Sequence, residues 1–234
     1  MLTEYGLPIE VDMLRVNTFS AIGTRPWRED PVDAMELVEL LRHVTAACFI
    51  VIAYLSGVRT GEALNLRRGC ITRDSKLALT FMSGHQLKAD DRRRDRSPAT
   101  VPWVVTDETA HAVSVLGQIT VSDLLFPAFN LCSQERFLYG STRTRTPGSI
   151  NTDITRFIEW FNRELCPAIS HPLIAADPQG KIQVPRLRRT LAWHIVRRPG
   201  GTIAGATQYG HLHTQLIQGY AGGADSGFLD EITF

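Results

Sequence analysis

The sequence predicts a mainly α-helical fold with a small antiparallel β-sheet, an α+β class. Three features predict it. Apolar residues recur every three or four positions over several long stretches, which is typical of helices with one buried face. Apolar and polar residues alternate between 76 and 105, as in strands. Segments rich in Gly, Pro and Ser separate these patterns, and 234 residues are enough to bury a sizeable core.

The first long helix is predicted to follow the pair Asp30-Pro31, because Asp is a favoured N-cap and Pro suits the first helical turn. Its buried face is marked by apolar residues at helical spacing, namely Val38, Leu41, Val44, Ala47, Cys48, Val51 and Leu55. Gly57 is placed to end this helix, and 60–66 is predicted to form a short second one. We therefore divide the chain into an N-terminal extension or linker remnant, 1–30, and a main domain, 31–234.

The predicted sheet comes next. Two runs of alternating residues indicate its strands, one with Leu77, Leu79 and Phe81 and the other with Val101, Trp103 and Val105. Helical patterns return at 107–119, 150–165 and 188–197, with further short helices on either side of His211. The intervals 140–148 and 171–181 are predicted loops.

Composition argues against several classes of protein. No run of about 18 apolar residues is apparent, and the first residues lack the basic and apolar parts of a secretory signal, so we expect a cytoplasmic protein without a membrane span. The four cysteines are widely spaced, without a zinc-binding pattern, and are predicted to be free thiols: Cys48, Cys70, Cys132 and Cys166. The net charge of +1 argues neither for nor against nucleic acid, although arginines crowd the interval 186–198.

The first candidate site segment contains Gly57, Arg59 and Glu62. Arg59 follows a glycine turn at the start of a predicted helix, where its guanidinium and nearby backbone N–H groups can meet a phosphate. Glu62 lies on the same helical face and can brace neighbouring groups. Taken alone, this spacing is more often that of a surface salt bridge, so both interpretations stay open.

Two further segments complete a pattern. They are Leu187-Arg188-Arg189-Thr190 and Gly210-His211, the latter followed by Tyr220. Together with Gly57, Arg59 and Glu62, this order and spacing resemble the tyrosine recombinase, or phage integrase, family, whose motifs run G-x-R-x-x-E, L-R-H-T-like, G-H and tyrosine. Arg189 stands where that family usually has a histidine. The resemblance covers about 30–220 and implies a tyrosine recombinase-like catalytic domain.

The resemblance also implies an enzyme, a DNA strand transferase with Tyr220 as nucleophile and a 3′-phosphotyrosyl intermediate. Arg59 and Arg188 would hold the nonbridging phosphate oxygens, and His211 would bind the phosphate or assist deprotonation of the tyrosine. The family's lysine lies on the hairpin, where Lys88 is the better candidate for the general acid. Lys76 is the rival, but it is predicted to precede the first strand. The implied partners are double-stranded DNA and other copies of the chain in a synaptic complex. No cofactor and no metal are expected.

The sequence departs from the family pattern at Pro185, where a histidine is usual. Arg186 or Arg189 could partly replace it. The family also has a separate DNA-clamping domain before the catalytic one, for which 1–30 is too short. The alternative function is therefore a catalytically weakened DNA-binding accessory relative. Trp193 is predicted to pack in the core behind Arg188.

Overall fold

The computed structural model describes residues 15–16, 21–22, 24–28, 30–85, 100–128, 143–178 and 180–209. Its helices are α1 (Ala34–Ser56), α2 (Thr60–Leu64), α3 (Asp107–Ile119), α4 (Pro147–Trp160), α5 (Cys166–Ala168), α6 (Val184–Val196) and α7 (Gly201–Tyr209). A π-helical segment, Phe161–Leu165, joins α4 to α5. The strands are β1 (Arg15–Val16), β2 (Ala21–Ile22), β3 (Arg25–Pro26), β4 (Val32–Asp33), β5 (Ile71–Asp74), β6 (Leu79–His85) and β7 (Thr100–Val105). The predicted α+β class is confirmed.

Helix α1 is the centre of the domain. It begins after Asp33, whose carboxylate accepts a hydrogen bond from the backbone N–H of Glu36 at 2.8 Å. The prediction that Asp30 caps this helix is therefore wrong, because the chain pairs as a short strand up to Asp33 before it turns helical. The helix ends at Gly57, as predicted, with that residue in the left-handed conformation at φ 67°.

The packing of α1 explains its apolar composition. The helix contacts α3, α4 and α6, and its residues Phe49, Ile52 and Ala53 are buried in the main core. By length and composition, Glu36–Ser56 is also long and apolar enough to cross a membrane, which the sequence analysis missed. Length and composition alone do not separate a membrane span from the central helix of a helical domain, and the contacts here are those of a central helix.

The sheet is an antiparallel meander in the order β5, β6, β7. Alternating apolar residues predicted β6 and β7. Strand β5 was not predicted, because its four residues show no apolar alternation. Lys76 therefore follows a strand and lies in the turn between β5 and β6, where its backbone N–H donates to Asp74 Oδ1 at 2.8 Å. The statement that Lys76 precedes the first strand is wrong. Lys88 is in the connection between β6 and β7, outside the described residues.

Helices α4 and α6 both begin earlier than predicted. Helix α4 is capped by Thr146, whose Oγ1 accepts from the backbone N–H of Ser149 at 3.1 Å. At the start of α6, the backbone N–H of Val184 donates to Asn151 Oδ1 at 3.1 Å, so a side chain of α4 satisfies the first turn of α6. The two helices are thereby held in a fixed relation.

The cysteines that the structure describes are free and buried: Cys48, Cys70 and Cys166. Burial raises the pKa of the Cys48 and Cys70 thiols to about 11. Both groups are neutral thiols at physiological pH, which suits a structural role. Cys132 lies outside the described residues.

Candidate active site

The turn between α1 and α2 is the structural centre of the candidate site. Gly57 adopts φ 67°, a conformation that favours glycine, and its backbone N–H donates to Ala53 O at 3.2 Å. Ser56 fixes the same turn, because its hydroxyl donates to Ile52 O at 2.5 Å and accepts from the Val58 N–H at 3.2 Å. The backbone that leads to Arg59 is therefore well defined.

Arg59 and Glu62 form a closed pair at the start of α2. The backbone N–H of Arg59 donates to Glu62 Oε2 at 3.1 Å, and Arg59 Nη1 donates to Glu62 Oε1 at 3.0 Å. The Glu62 side chain is 1% exposed and the Arg59 side chain 29%. This differs from an ordinary surface salt bridge, since the carboxylate is buried. Glu62 braces Arg59 and leaves part of the Arg59 side chain exposed.

Arg188 brings the second segment to the first. Arg188 lies on α6 and is 8% exposed. Its Nη1 donates a hydrogen bond to the Gly57 carbonyl oxygen. The Arg188 guanidinium carbon also lies 4.1 Å from the centroid of the Tyr209 ring. The two arginines that the sequence pattern singled out are thus linked through three residues of backbone, from Gly57 to Arg59.

The end of α7 joins the same cluster. The Tyr209 hydroxyl donates to Arg188 O at 2.9 Å, and Gln208 Nε2 donates to Ser56 O and to Val104 O, each at 2.9 Å. Neither side chain was given a role from the sequence, although Tyr209 opens the segment that contains Gly210-His211. Their place directly before Gly210-His211 was a signal, but nothing in the sequence named their partners.

Two predicted site residues come later in the chain and are not described. Helix α7 is described as far as Tyr209, and both His211 and Tyr220 lie outside the described residues. Their placement relative to Arg188 stays a prediction, as does that of Lys88.

The segment around Pro185 shows what could replace the usual histidine. Pro185 is exposed in the first turn of α6. Arg186 Nη2 pairs with Asp177 Oδ2 at 2.6 Å, which directs this side chain towards the 171–183 loop. Arg189 is exposed. Of the two suggested substitutes, Arg186 is therefore already engaged by a carboxylate.

Trp193 does not pack in the core behind Arg188. It is 38% exposed, and the Arg197 guanidinium stacks on its ring at 4.4 Å from the centroid. The reason is helical phase: the residue four positions after Arg188 is Ala192, which is buried with Val196 and Tyr209, whereas Trp193 is one position further round. This prediction was wrong.

Other features of the described residues lie apart from this cluster. A cavity of about 720 Å³ opens near the start of α1, and its lining includes Trp27, His43 and Trp160. Burial lowers the pKa of His43, whose ring stacks on Trp160 at 4.8 Å. Within the part of the chain that the structure describes, no group of three or more His, Cys, Asp or Glu could hold a metal ion.

The mostly helical domain with its three-stranded antiparallel sheet is similar to the tyrosine recombinase catalytic-domain fold. One similar solved structure is the XerH site-specific recombinase bound to palindromic difH substrate, with a TM-score of 0.51 and 16% identity over 83% of this chain. XerA recombinase gives a TM-score of 0.48 and 20% identity over 83% of this chain and 61% of that one.

The chain spans about half the length of the XerH chain, 50%. At this identity the likeness shows the fold. No protein-family model matches the sequence, and no curated protein does.

Proposed function

We propose that this chain is the catalytic domain of a site-specific DNA recombinase or integrase, which cleaves and rejoins DNA through a 3′-phosphotyrosyl intermediate. One observation carries the proposal. In a fold similar to that of the XerH recombinase, the Arg188 guanidinium contacts the Gly57 carbonyl in the turn that leads to Arg59. The order of motifs in the sequence, with His211 and Tyr220 after them, supports the same function.

The chemistry follows from the residue types. Tyr220 would attack a DNA phosphodiester, forming a bond from its oxygen to phosphorus while the bond to the 5′-oxygen breaks. Negative charge grows on the nonbridging oxygens, and the guanidinium groups of Arg59 and Arg188 would hold them in a preorganised site. Glu62 would keep Arg59 in place through the two hydrogen bonds described above.

Proton transfer completes the step. Lys88 would protonate the departing 5′-oxygen, and His211 would bind the phosphate or take the tyrosine proton. The phosphotyrosyl link conserves the energy of the original bond, so the 5′-hydroxyl of another strand can reverse the reaction. The reaction balances without ATP or a metal.

The proposed partner is double-stranded DNA; the XerH recombinase of the similar structure is bound to a palindromic difH substrate. Because the net charge is only +1, attraction to DNA would come from a local surface. Arg189 and Arg198 on and after α6 are exposed and suit contacts with the phosphate backbone. We also propose assembly with other copies on DNA, in the cytoplasm.

A second candidate function is a DNA-binding accessory protein with weakened catalysis. Pro185 favours it, since proline offers no side-chain hydrogen bond where the resembling family has a histidine. The pairing of Arg186 with Asp177 favours it as well, because this arginine is committed elsewhere.

The test is covalent trapping. The protein is incubated with duplexes carrying candidate sites, each nicked so that the short fragment bearing the freed 5′-hydroxyl diffuses away and cannot reverse the reaction. Denaturing gels are used to find protein-linked DNA. We expect an adduct on at least one site that the protein binds. Tight binding to a site with no adduct on any nicked version would favour the accessory function.

A further inference from the structure

We infer that Tyr209 is a positioning residue that fixes the orientation of the Arg188 guanidinium at the Gly57 turn. Its importance for DNA cleavage rests on the proposed function, whereas the positioning itself does not. No motif of the sequence pattern includes Tyr209.

Two interactions of Tyr209 act on the same arginine. Its hydroxyl donates to the backbone carbonyl of Arg188 at 2.9 Å, which fixes the ring relative to α6. The face of that ring then lies 4.1 Å from the guanidinium carbon, well within the distance at which a cation is attracted to an aromatic face. One side chain therefore holds both the backbone and the charged end of Arg188.

Gly57 completes the arrangement. A Cβ at this position would lie 2.6 Å from both the Cζ and the hydroxyl oxygen of Tyr209, so the ring lies directly against the glycine backbone. The Arg188 guanidinium donates to the Gly57 carbonyl through Nη1, and its central carbon lies over the face of the Tyr209 ring. Two restraints from different directions therefore act on the plane of the guanidinium.

An aromatic ring is needed for this, and a generic core residue is not enough. Tyr209 is 1% exposed and packs with the apolar residues Ala192, Val196 and Ala206. Leucine could fill part of this space, but it has no aromatic face for the guanidinium and no hydroxyl for the Arg188 carbonyl. Phenylalanine would keep the face and lose only the hydroxyl. Comparing Tyr209→Leu with Tyr209→Phe therefore separates the contribution of the ring from that of the hydroxyl group.

The first experiment observes Arg188 directly. Arginine Nε–H signals are recorded by NMR on the full chain, and the Arg188 signal is assigned by its loss in Arg188→Lys. The Tyr209 ring current should shift this signal upfield in the parent. We expect the shift to persist in Tyr209→Phe and to disappear in Tyr209→Leu. An Arg188 signal at the ordinary position in the parent, or a shift unchanged in Tyr209→Leu, would overturn the inference.

Thermal melting shows whether Tyr209→Leu is folded. If it is not, the spectra of the parent and of Tyr209→Phe still decide whether the ring lies over Arg188.

The second experiment measures cleavage of a nicked site in a single turnover, with DNA affinity measured separately. Misplacing a catalytic group by about 1 Å can slow a reaction about a hundredfold, so we expect a loss approaching that in folded Tyr209→Leu at unchanged affinity. Tyr209→Phe should stay within a few-fold of the parent. Parent-like cleavage by a Tyr209→Leu protein that has lost the NMR shift would overturn the catalytic consequence. A parent that forms no adduct but shows the shift overturns the proposed function and leaves the positioning intact.

Discussion

The guanidinium of Arg188 donates a hydrogen bond to the carbonyl oxygen of Gly57, across 131 positions of sequence. This contact brings helix α6 to the turn that precedes Arg59. Carbonyl and guanidinium are both buried, and a charge-assisted hydrogen bond of this kind is stronger than one between neutral groups. The relative position of the two arginine segments is therefore set by the protein before any ligand binds.

Both arginines are predicted to support cleavage. Arg188→Ala and Arg59→Ala each remove donors aimed at developing charge, and each should slow adduct formation by about two to three orders of magnitude. Single-turnover trapping on a nicked site measures the rate. Arg73→Ala is the control, since Arg73 is an exposed arginine on β5 with no role at the candidate site, and it should stay within a few-fold of the parent. Equal effects of all three substitutions would contradict a special role for Arg59 and Arg188.

Replacement of Gly57 is predicted to be costly for two reasons. Gly57→Ala places a side chain at φ 67° and puts its Cβ 2.6 Å from the Tyr209 ring. The backbone conformation alone costs about 1 to 2 kcal/mol, and overpacking adds typically about 1 to 3 kcal/mol of free energy of unfolding. Gly69→Ala is the control, because Gly69 has φ 74° with nothing within 4 Å of a Cβ. Urea unfolding should show a larger loss at Gly57; equal losses would mean that Tyr209 does not press on this turn.

Lys88 is predicted to be the general acid. A substrate whose bridging 5′-oxygen is replaced by sulfur has a leaving group that hardly needs protonation. Lys88→Ala should therefore cleave normal DNA slowly and the thio substrate at nearly the parent rate. Lys76→Ala is the comparison, since Lys76 lies in the turn between β5 and β6. Rescue of Lys76→Ala, with none for Lys88→Ala, would reverse the assignment.

Pro185→His is predicted to raise the cleavage rate with little change in DNA affinity. The added imidazole would contact a phosphate whose charge grows in the transition state, so its effect falls on the chemical step. Loss of the proline from the first turn of α6 should cost about 0.4 to 1 kcal/mol of stability, which thermal melting will detect. An adduct made only by Pro185→His would identify the parent as an accessory protein. Equal rates for both would show that the histidine is dispensable.

Local signals in the sequence predicted much of the fold. The bounds of α3 agree with the predicted 107–119, because Thr106 caps the helix and acidic residues fill its first turn. Gly57 ends α1 for the conformational reason given above. Strand β5 was missed because its position is set by pairing with β6, which leaves no alternation in its own four residues.

The candidate site was less predictable. Residue type and spacing identified Arg59, Glu62 and Arg188, but only tertiary packing could reveal that Arg188 meets Gly57 and Tyr209. The prediction for Trp193 was wrong for the same reason. Ala192 and Trp193 are adjacent on α6, and it is the small Ala192 that packs against α7.

Tyr220 is predicted to be the nucleophile that attacks DNA. The parent and Tyr220→Phe are each incubated with a nicked site that the protein binds, and any covalent adduct is digested and mapped by mass spectrometry. We predict a 3′-phosphonucleotide on the peptide that contains Tyr220 and no adduct with Tyr220→Phe at unchanged DNA affinity and folding. An adduct that persists in Tyr220→Phe, or one mapped to another residue, would contradict the claim.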